Sequence, residues 1–168
     1  MAGRVVIVGF DPGLATTGYG VVEAAETGCV AVAGGVIRTD AKTPRAERLR
    51  ELFDEATSLI EEHEPIGIAI EEVFFATNAK SAMRTAEARG VLLTAAARVA
   101  VRGYTPLQVK KRVTGYGKAT KAQVQAMVKR LLALPELPKP DDVADGLALA
   151  LCYLLDMRGP ESEDDVYL

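Results

Sequence analysis

Apolar positions along the chain fall into short dense runs and long periodic stretches. "RVVIVGFD", residues 4–11, is unbroken and rich in β-branched side chains, which predicts a strand buried on both faces. "DPGLATTG" follows, and its Pro-Gly pair suits the middle of a type II turn. "TGYGVVEA" and "CVAVAGGVIRT" predict two more strands, with "ETG" turning the hairpin between them. "PRAERLRELFDEATSLIEEHEP" places Leu49, Leu52, Phe53, Ala56, Leu59 and Ile60 on one helical face, and Pro65 closes that helix. "IGIAIE" is the fourth strand. Alternation puts Ile66, Ile68 and Ile70 on one side of it and Gly67, Ala69 and Glu71 on the other. "NAKSAMRTAEARGVLLTAAARVA" predicts a long helix whose small residues allow close packing, and "VRGYTP" a short strand or turn. "LQVKKRVTG", "TKAQVQAMVKRLLAL" and "DDVADGLALALCYLLDMR" predict three further helices. The order predicts an α/β fold, a mixed sheet with helices packed on it. It reads as one domain over residues 1–158, with an acidic, mobile tail over 159–168.

The length of 168 residues suits one packed core, and 49% hydrophobic residues argue against disorder. No apolar run approaches the roughly 20 residues that span a bilayer. The first apolar run meets an acid at once and lacks a small-residue cleavage site, so it reads as a strand and not a signal peptide. Cys29 and Cys152 lie far apart in apolar segments, which predicts buried, reduced thiols in a cytoplasmic protein. With His63 as the single histidine, zinc chemistry and a Ser-His-Asp triad are disfavoured.

Charge changes this picture. From Lys80 to Arg130 twelve basic residues stand against one acid, Glu87, a segment charge of +11; the remainder carries −14. One-signed charge on this scale points to a polyanion as partner. Four acids stand out by position: Asp11 at the end of the first strand, Glu71 at the end of the fourth, and Asp142 and Asp145 three apart at the start of the last helix. Singly, each is explained by turn capping or the helix dipole. Together they form an all-oxygen donor set that suits Mg²⁺ or Mn²⁺, and adjoining carboxylates can hold two such ions about 4 Å apart for phosphodiester cleavage. Alternation turns Glu72 away from Glu71, so Glu71 is the acid assigned to the metals.

Four ordered blocks carry a resemblance: "GFDPGLATTGYGVV", "AIEEVFFATNAKSAMRTAEARGVLLTAA", "LQVKKRVTGYGKATKAQVQAMV" and "DDVADGLALAL". They closely resemble the RuvC family of Holliday junction resolvases over about residues 5–151. The resemblance implies an RNase H-like fold with a mixed five-stranded sheet flanked by helices. It implies metal-binding, catalytic acids at Asp11, Glu71, Asp142 and Asp145. It further implies a homodimer that cuts two like-polarity strands of a four-way junction, leaving 5′-phosphate and 3′-hydroxyl ends, and RuvA and RuvB as partners. The family's junction-contacting aromatic matches Phe74, and its basic residues match Lys110 and Lys121. Two departures stand out: Glu72 where relatives often carry Gln, and Gly146 where Ala is usual, a change expected to loosen the helix by about 1 kcal/mol.

Phe74 or Phe75 is expected to stack on an unpaired base while the other fills the core, stacking contributing about 1–3 kcal/mol per base. Lys80 and Arg84 on the next helix, Lys110, Lys111 and Arg112, and Lys118 and Lys121 in "GYGKATK" are the expected backbone contacts; Lys121 is also placed to offset charge at the scissile phosphate. Three other readings exist. An RNase H-like enzyme acting on RNA lacks the "EEVFF" and "QVKKRVTGYG" blocks. A junction-binding module without catalysis gains nothing from four clustered acids. An ATPase of the actin type needs two such domains.

Overall fold

A computed structural model describes residues 3–73 and 78–159. Five strands form one sheet, β1 (Val6–Asp11), β2 (Thr16–Ala24), β3 (Cys29–Arg38), β4 (Gly67–Glu71) and β5 (Ala100–Tyr104), in the order β3-β2-β1-β4-β5. The first three strands pair antiparallel as a meander, and β1, β4 and β5 pair parallel. The helices are α1 (Arg45–His63), α2 (Ala79–Ala95), α3 (Pro106–Thr114), α4 (Lys121–Leu131) and α5 (Asp141–Met157). The parallel crossovers need α1 and α2 as connections, and these helices share one face of the sheet. α5 lies on the other face, with α3 and α4 outside it.

Alternation along the strands feeds two cores. Val6, Val8, Phe10, Ile68 and Ile70 meet Leu52, Ala56, Ala88 and Leu92 of α1 and α2. Ile7, Val22, Ala69 and Tyr104 meet α5. Every residue of α5 from Val143 to Leu154 is buried except Asp145. A helix apolar on nearly all sides needs cover on nearly all sides, which the sheet and the α3–α4 pair supply.

The seat of α5 is made of glycines. A Cβ on Gly9 would stand 2.1 Å from the carbonyl oxygen of Gly146, and one on Gly18 2.1 Å from that of Asp142. The helix backbone therefore rests directly on β1 and β2. Gly146 is part of this contact, since a Cβ there would lie 2.4 Å from the Tyr19 carbonyl carbon. Beside the helix-propensity cost expected of Gly146, the structure gives it a second role, the close approach of α5 to β2. From this seat α5 crosses the sheet diagonally, meeting β4 where Tyr153 lies against Gly67 and β5 where Tyr104 donates to Asp156 Oδ2 at 2.7 Å.

Three expectations change. Ile66 precedes β4 and is 44% exposed, because it sits on the rim of the sheet beyond the helices' cover. Cys29 is half-buried, at the start of an edge strand, whereas Cys152 is buried as expected. The helix predicted up to residue 100 stops at Ala95; Ala100 onward pairs with β4, and parallel pairing overrides the local alanine preference. Among the described residues no helix is long and apolar enough to cross a membrane. Residues 160–168 of the predicted acidic tail lie outside the described residues.

Candidate functional site

The site lies where β1, β4, α4 and α5 meet. Parallel pairing sets Phe10 opposite Ile70, so Asp11 and Glu71 emerge side by side one residue later. Both fall on the α5 face, as the alternation predicts. Asp11 also pairs across β2 with Gly18, the glycine on which the Asp142 backbone rests. The same close approach that seats α5 thus brings its first turn against the end of β1. The turn after Asp11 is pinned by Thr17, a fully buried side chain whose hydroxyl donates to the Gly13 carbonyl at 2.7 Å and accepts from the Gly13 N–H at 3.3 Å.

α4 brings the cation. Thr120 caps the helix through a reciprocal pair with Gln123, which fixes Lys121 as its first residue. Lys121 Nζ donates to Asp145 Oδ2 at 3.1 Å and stands 3.6 Å from Asp141 Oδ2.

Like charges crowd this corner. Burial, the charge of Asp145 and that of Asp142 push the Asp11 carboxyl up to about 6, against the Glu71 hydrogen bond and Lys121, which pull it down. Burial first, then the charge and hydrogen bond of Asp11, push Glu71 up to about 8. The pair therefore shares a proton, carried by Glu71 and accepted by Asp11. Asp145 is also raised, because burial outweighs its bond to Lys121. Burial alone would lower the Lys121 ammonium, but Asp145, Asp141 and Asp142 together raise it, so it stays charged at neutral pH. Among the described residues no three acids close into a ready cage for a cation. Asp11 and Glu71 satisfy each other, and Asp141 and Asp145 turn to Lys121. The donor set is wholly carboxylate, and its surplus negative charge is what a hard divalent ion relieves.

Of the acids named from sequence, all four are thus brought into one electrostatic neighbourhood. Asp141, which the sequence alone did not single out, joins them through Lys121; its place in "DDVAD" was the available signal. Of the basic residues, Lys121 reaches the acids directly. Lys80, Arg84 and Lys118 are exposed, and Lys110 and Lys111 are half-buried on α3. Arg112 departs from the expected phosphate grip. Its Nη2 donates to the carbonyls of Leu155 at 2.6 Å and Gly159 at 3.1 Å. Its Nε stands 2.8 Å from Asp156 Oδ1 as an ion pair without hydrogen-bond alignment, so Arg112 ties α3 to the end of α5. Glu72 faces α2 and pairs with Arg89 at 3.0 Å. Phe74 and Phe75 lie outside the described residues.

A family model described as crossover junction endodeoxyribonuclease RuvC matches residues 7–153. The crossover junction endodeoxyribonuclease RuvC of Pelotomaculum thermopropionicum is 51% identical over 150 residues, covering 88% of this chain and 92% of that protein. The protein of the same description from Heliobacterium modesticaldum is 50% identical over 149 residues, with the same coverage. Among solved structures, Thermus thermophilus RuvC in complex with Holliday junction substrate superimposes with a TM-score of 0.87 at 34% identity, covering 92% of this chain and 95% of the other. The predicted RNase H-like fold holds with its mixed five-stranded sheet. A match over nearly the whole chain, with the acids gathered where β1, β4 and α5 converge, leaves one conclusion: the chain belongs to the RuvC family of crossover junction endodeoxyribonucleases.

Proposed function

We propose that this chain resolves Holliday junctions, hydrolysing phosphodiester bonds in two like-polarity strands with the help of divalent cations. The observation that carries this reading is the proton-sharing pair Asp11–Glu71 beside Asp142, Asp145 and Lys121. A corner with this much negative charge is costly to bury unless a cation joins it. Family membership supports both the four-way junction as substrate and a general dependence on divalent metal.

Asp11, Glu71, Asp142 and Asp145 would hold Mg²⁺ or Mn²⁺, with two ions per site as the reading we favour. Such ions supply Lewis acidity toward a phosphodiester and a water made acidic enough to attack at neutral pH. The chain's own residues do the rest. Asp11 and Glu71, rooted in adjacent strands, are held in fixed register. Lys121 stays protonated and stands where charge builds up on the scissile phosphate. Water oxygen bonds to phosphorus as the bond to the 3′ oxygen breaks, giving 5′-phosphate and 3′-hydroxyl ends. Exposed Lys80, Arg84 and Lys118, with Lys110 and Lys111, contact the junction backbone, and Phe74 stacks at the crossover. Two like-polarity strands require two active sites, so the active form is a homodimer. It works in the cytoplasm with RuvA and RuvB, as one domain over residues 1–158 followed by an acidic tail.

The test is a synthetic four-way junction incubated with protein and Mg²⁺ or Mn²⁺, with EDTA as control. Symmetric nicks are expected, and Asp11→Asn should bind the junction without cutting it. Equal cutting of linear duplex would sink the structure selectivity.

A further inference from the structure

The carboxylate of Glu71 is the last side chain of β4, at the point where a strand frays most easily. It also faces repulsion from Asp11 and Asp145. Something must hold the strand end against that push. On the opposite face of the sheet, Arg89 of α2 reaches it from below. Its Nε donates to the Glu71 carbonyl at 3.1 Å and its Nη2 to Glu72 Oε1 at 3.0 Å. The N–H of Glu72 donates to the Tyr104 carbonyl at 2.8 Å. The peptide plane between Glu71 and Glu72 is therefore held on both sides, its carbonyl by Arg89 and its N–H by β5. Fixing that plane fixes the backbone torsion that aims the Glu71 side chain.

Two features show that the arrangement is built in. The Arg89 side chain is only 22% exposed, so its charge is partly desolvated and depends on Glu72 for a partner. Beneath them stands Gly103, where a Cβ would come within 1.8 Å of Glu72 Oε1. A side chain there would push the Glu72 carboxylate from its place beside Arg89. Glu72 gives Arg89 a charged anchor.

We propose that Arg89 is a positioning residue for Glu71, with Glu72 as its counter-ion and Gly103 as its seat. The inference rests on the reading of Glu71 as a metal-holding acid. Arg89 touches no reacting group; it acts through the backbone. Supports of this kind, one layer removed from the cation, are worth about 10–100-fold in metal affinity or activity.

Arg89→Lys and Arg89→Ala test this, with Gly103→Ala as an independent disturbance from the other side and Glu72→Gln as the conservative variant. Mn²⁺ binding is followed by electron paramagnetic resonance of the free ion without DNA, junction affinity in EDTA, and single-turnover junction cutting across a Mg²⁺ titration. Arg89→Lys, Arg89→Ala and Gly103→Ala should weaken Mn²⁺ binding by about tenfold and raise the Mg²⁺ midpoint to match. Junction affinity should stay within about twofold, and Glu72→Gln, which still accepts one bond, should fall between them and wild type. A merely structural role would lower thermal stability and cutting together and leave both metal midpoints in place at temperatures well below each melting point. That result, or Arg89→Lys matching wild type throughout, overturns the proposal. If wild type binds Mn²⁺ but does not cut the junction, the nuclease reading falls, and the Mn²⁺ titration of the variants still decides the role of Arg89.

Discussion

Replacing Asp11 by Asn should abolish cutting and at the same time stabilise the metal-free protein. The acid is held in the folded state at about 6, above its ordinary 3.8, and its partner Glu71 at about 8, above 4.5. For carboxyls raised on folding, the native state binds more protons than the unfolded chain, so stability falls as pH rises. The fall begins near the unfolded values, about pH 4 to 4.5, and is complete once pH passes the raised ones, near 8. At pH 7 the cost of keeping the Glu71 proton is at most ~3.4 kcal/mol, at 1.36 kcal/mol per pH unit above 4.5. The pair shares one proton, so the cost is counted once. The site also opens to water, which screens the repulsion and brings the figure to ~1–2 kcal/mol.

Asn at position 11 keeps a hydrogen bond to Glu71 and removes the charge that raises it. Thermal unfolding in EDTA from pH 4 to 8.5 should show wild type and Asp11→Asn alike near pH 4. They should then diverge, with the variant melting about 2–8 °C higher by pH 8. Added Mg²⁺ should raise wild type more than the variant and close part of the gap. A variant less stable at every pH, or a gap that does not depend on pH, would refute the reasoning, because either would mean that Asp11 is not in repulsive contact with Glu71.

Other substitutions probe the rest of the frame. Gly146→Ala should gain about 1 kcal/mol of helix propensity and lose more to the clash with Tyr19, for a net loss of about 1–2 kcal/mol in urea unfolding and a parallel drop in cutting. Lys121→Met should reduce single-turnover cutting at saturating Mg²⁺ by about 100-fold, while its exposed ion pairs leave stability within about 1 kcal/mol. Tyr104→Phe should cost about 1 kcal/mol for its bond to Asp156. Asp156→Ala should cost about 2 kcal/mol, since it also strips Arg112 of its partner. Neither should move the Mg²⁺ midpoint of cutting.

What the sequence made legible was local or periodic. The "RVVIVGFD" run, the alternation that separates Glu71 from Glu72, and the acids opening the last helix can each be read within a few residues, and each stands where expected. What it hid was long-range. Gly9, Gly18 and Gly146 each look like a weak residue in a regular element, and their purpose exists only once α5 lies on β1 and β2. The same holds for charge. The +11 block from Lys80 to Arg130 reads as one surface facing a polyanion, and the fold divides it. Arg89 holds the end of β4, Arg102 lies 4.6 Å from the centre of the Tyr153 ring, and Arg112 ties α3 to α5, whereas Lys80, Arg84 and Lys118 stay exposed. Arg89 and Arg112 each use the guanidinium fork to hold two acceptors at once, which a lysine's point charge could not do. Even the lone acid of the block, Glu87, is turned to Arg45 of α1, at 3.7 Å. The salt dependence of junction binding should therefore follow the exposed basic residues, Arg98 and Arg130 as well as Lys80, Arg84 and Lys118, and be shallower than twelve phosphate contacts would make it. A slope matching all twelve would mean that Arg89 and Arg112 are released on binding, and with Arg89 the hold on Glu71.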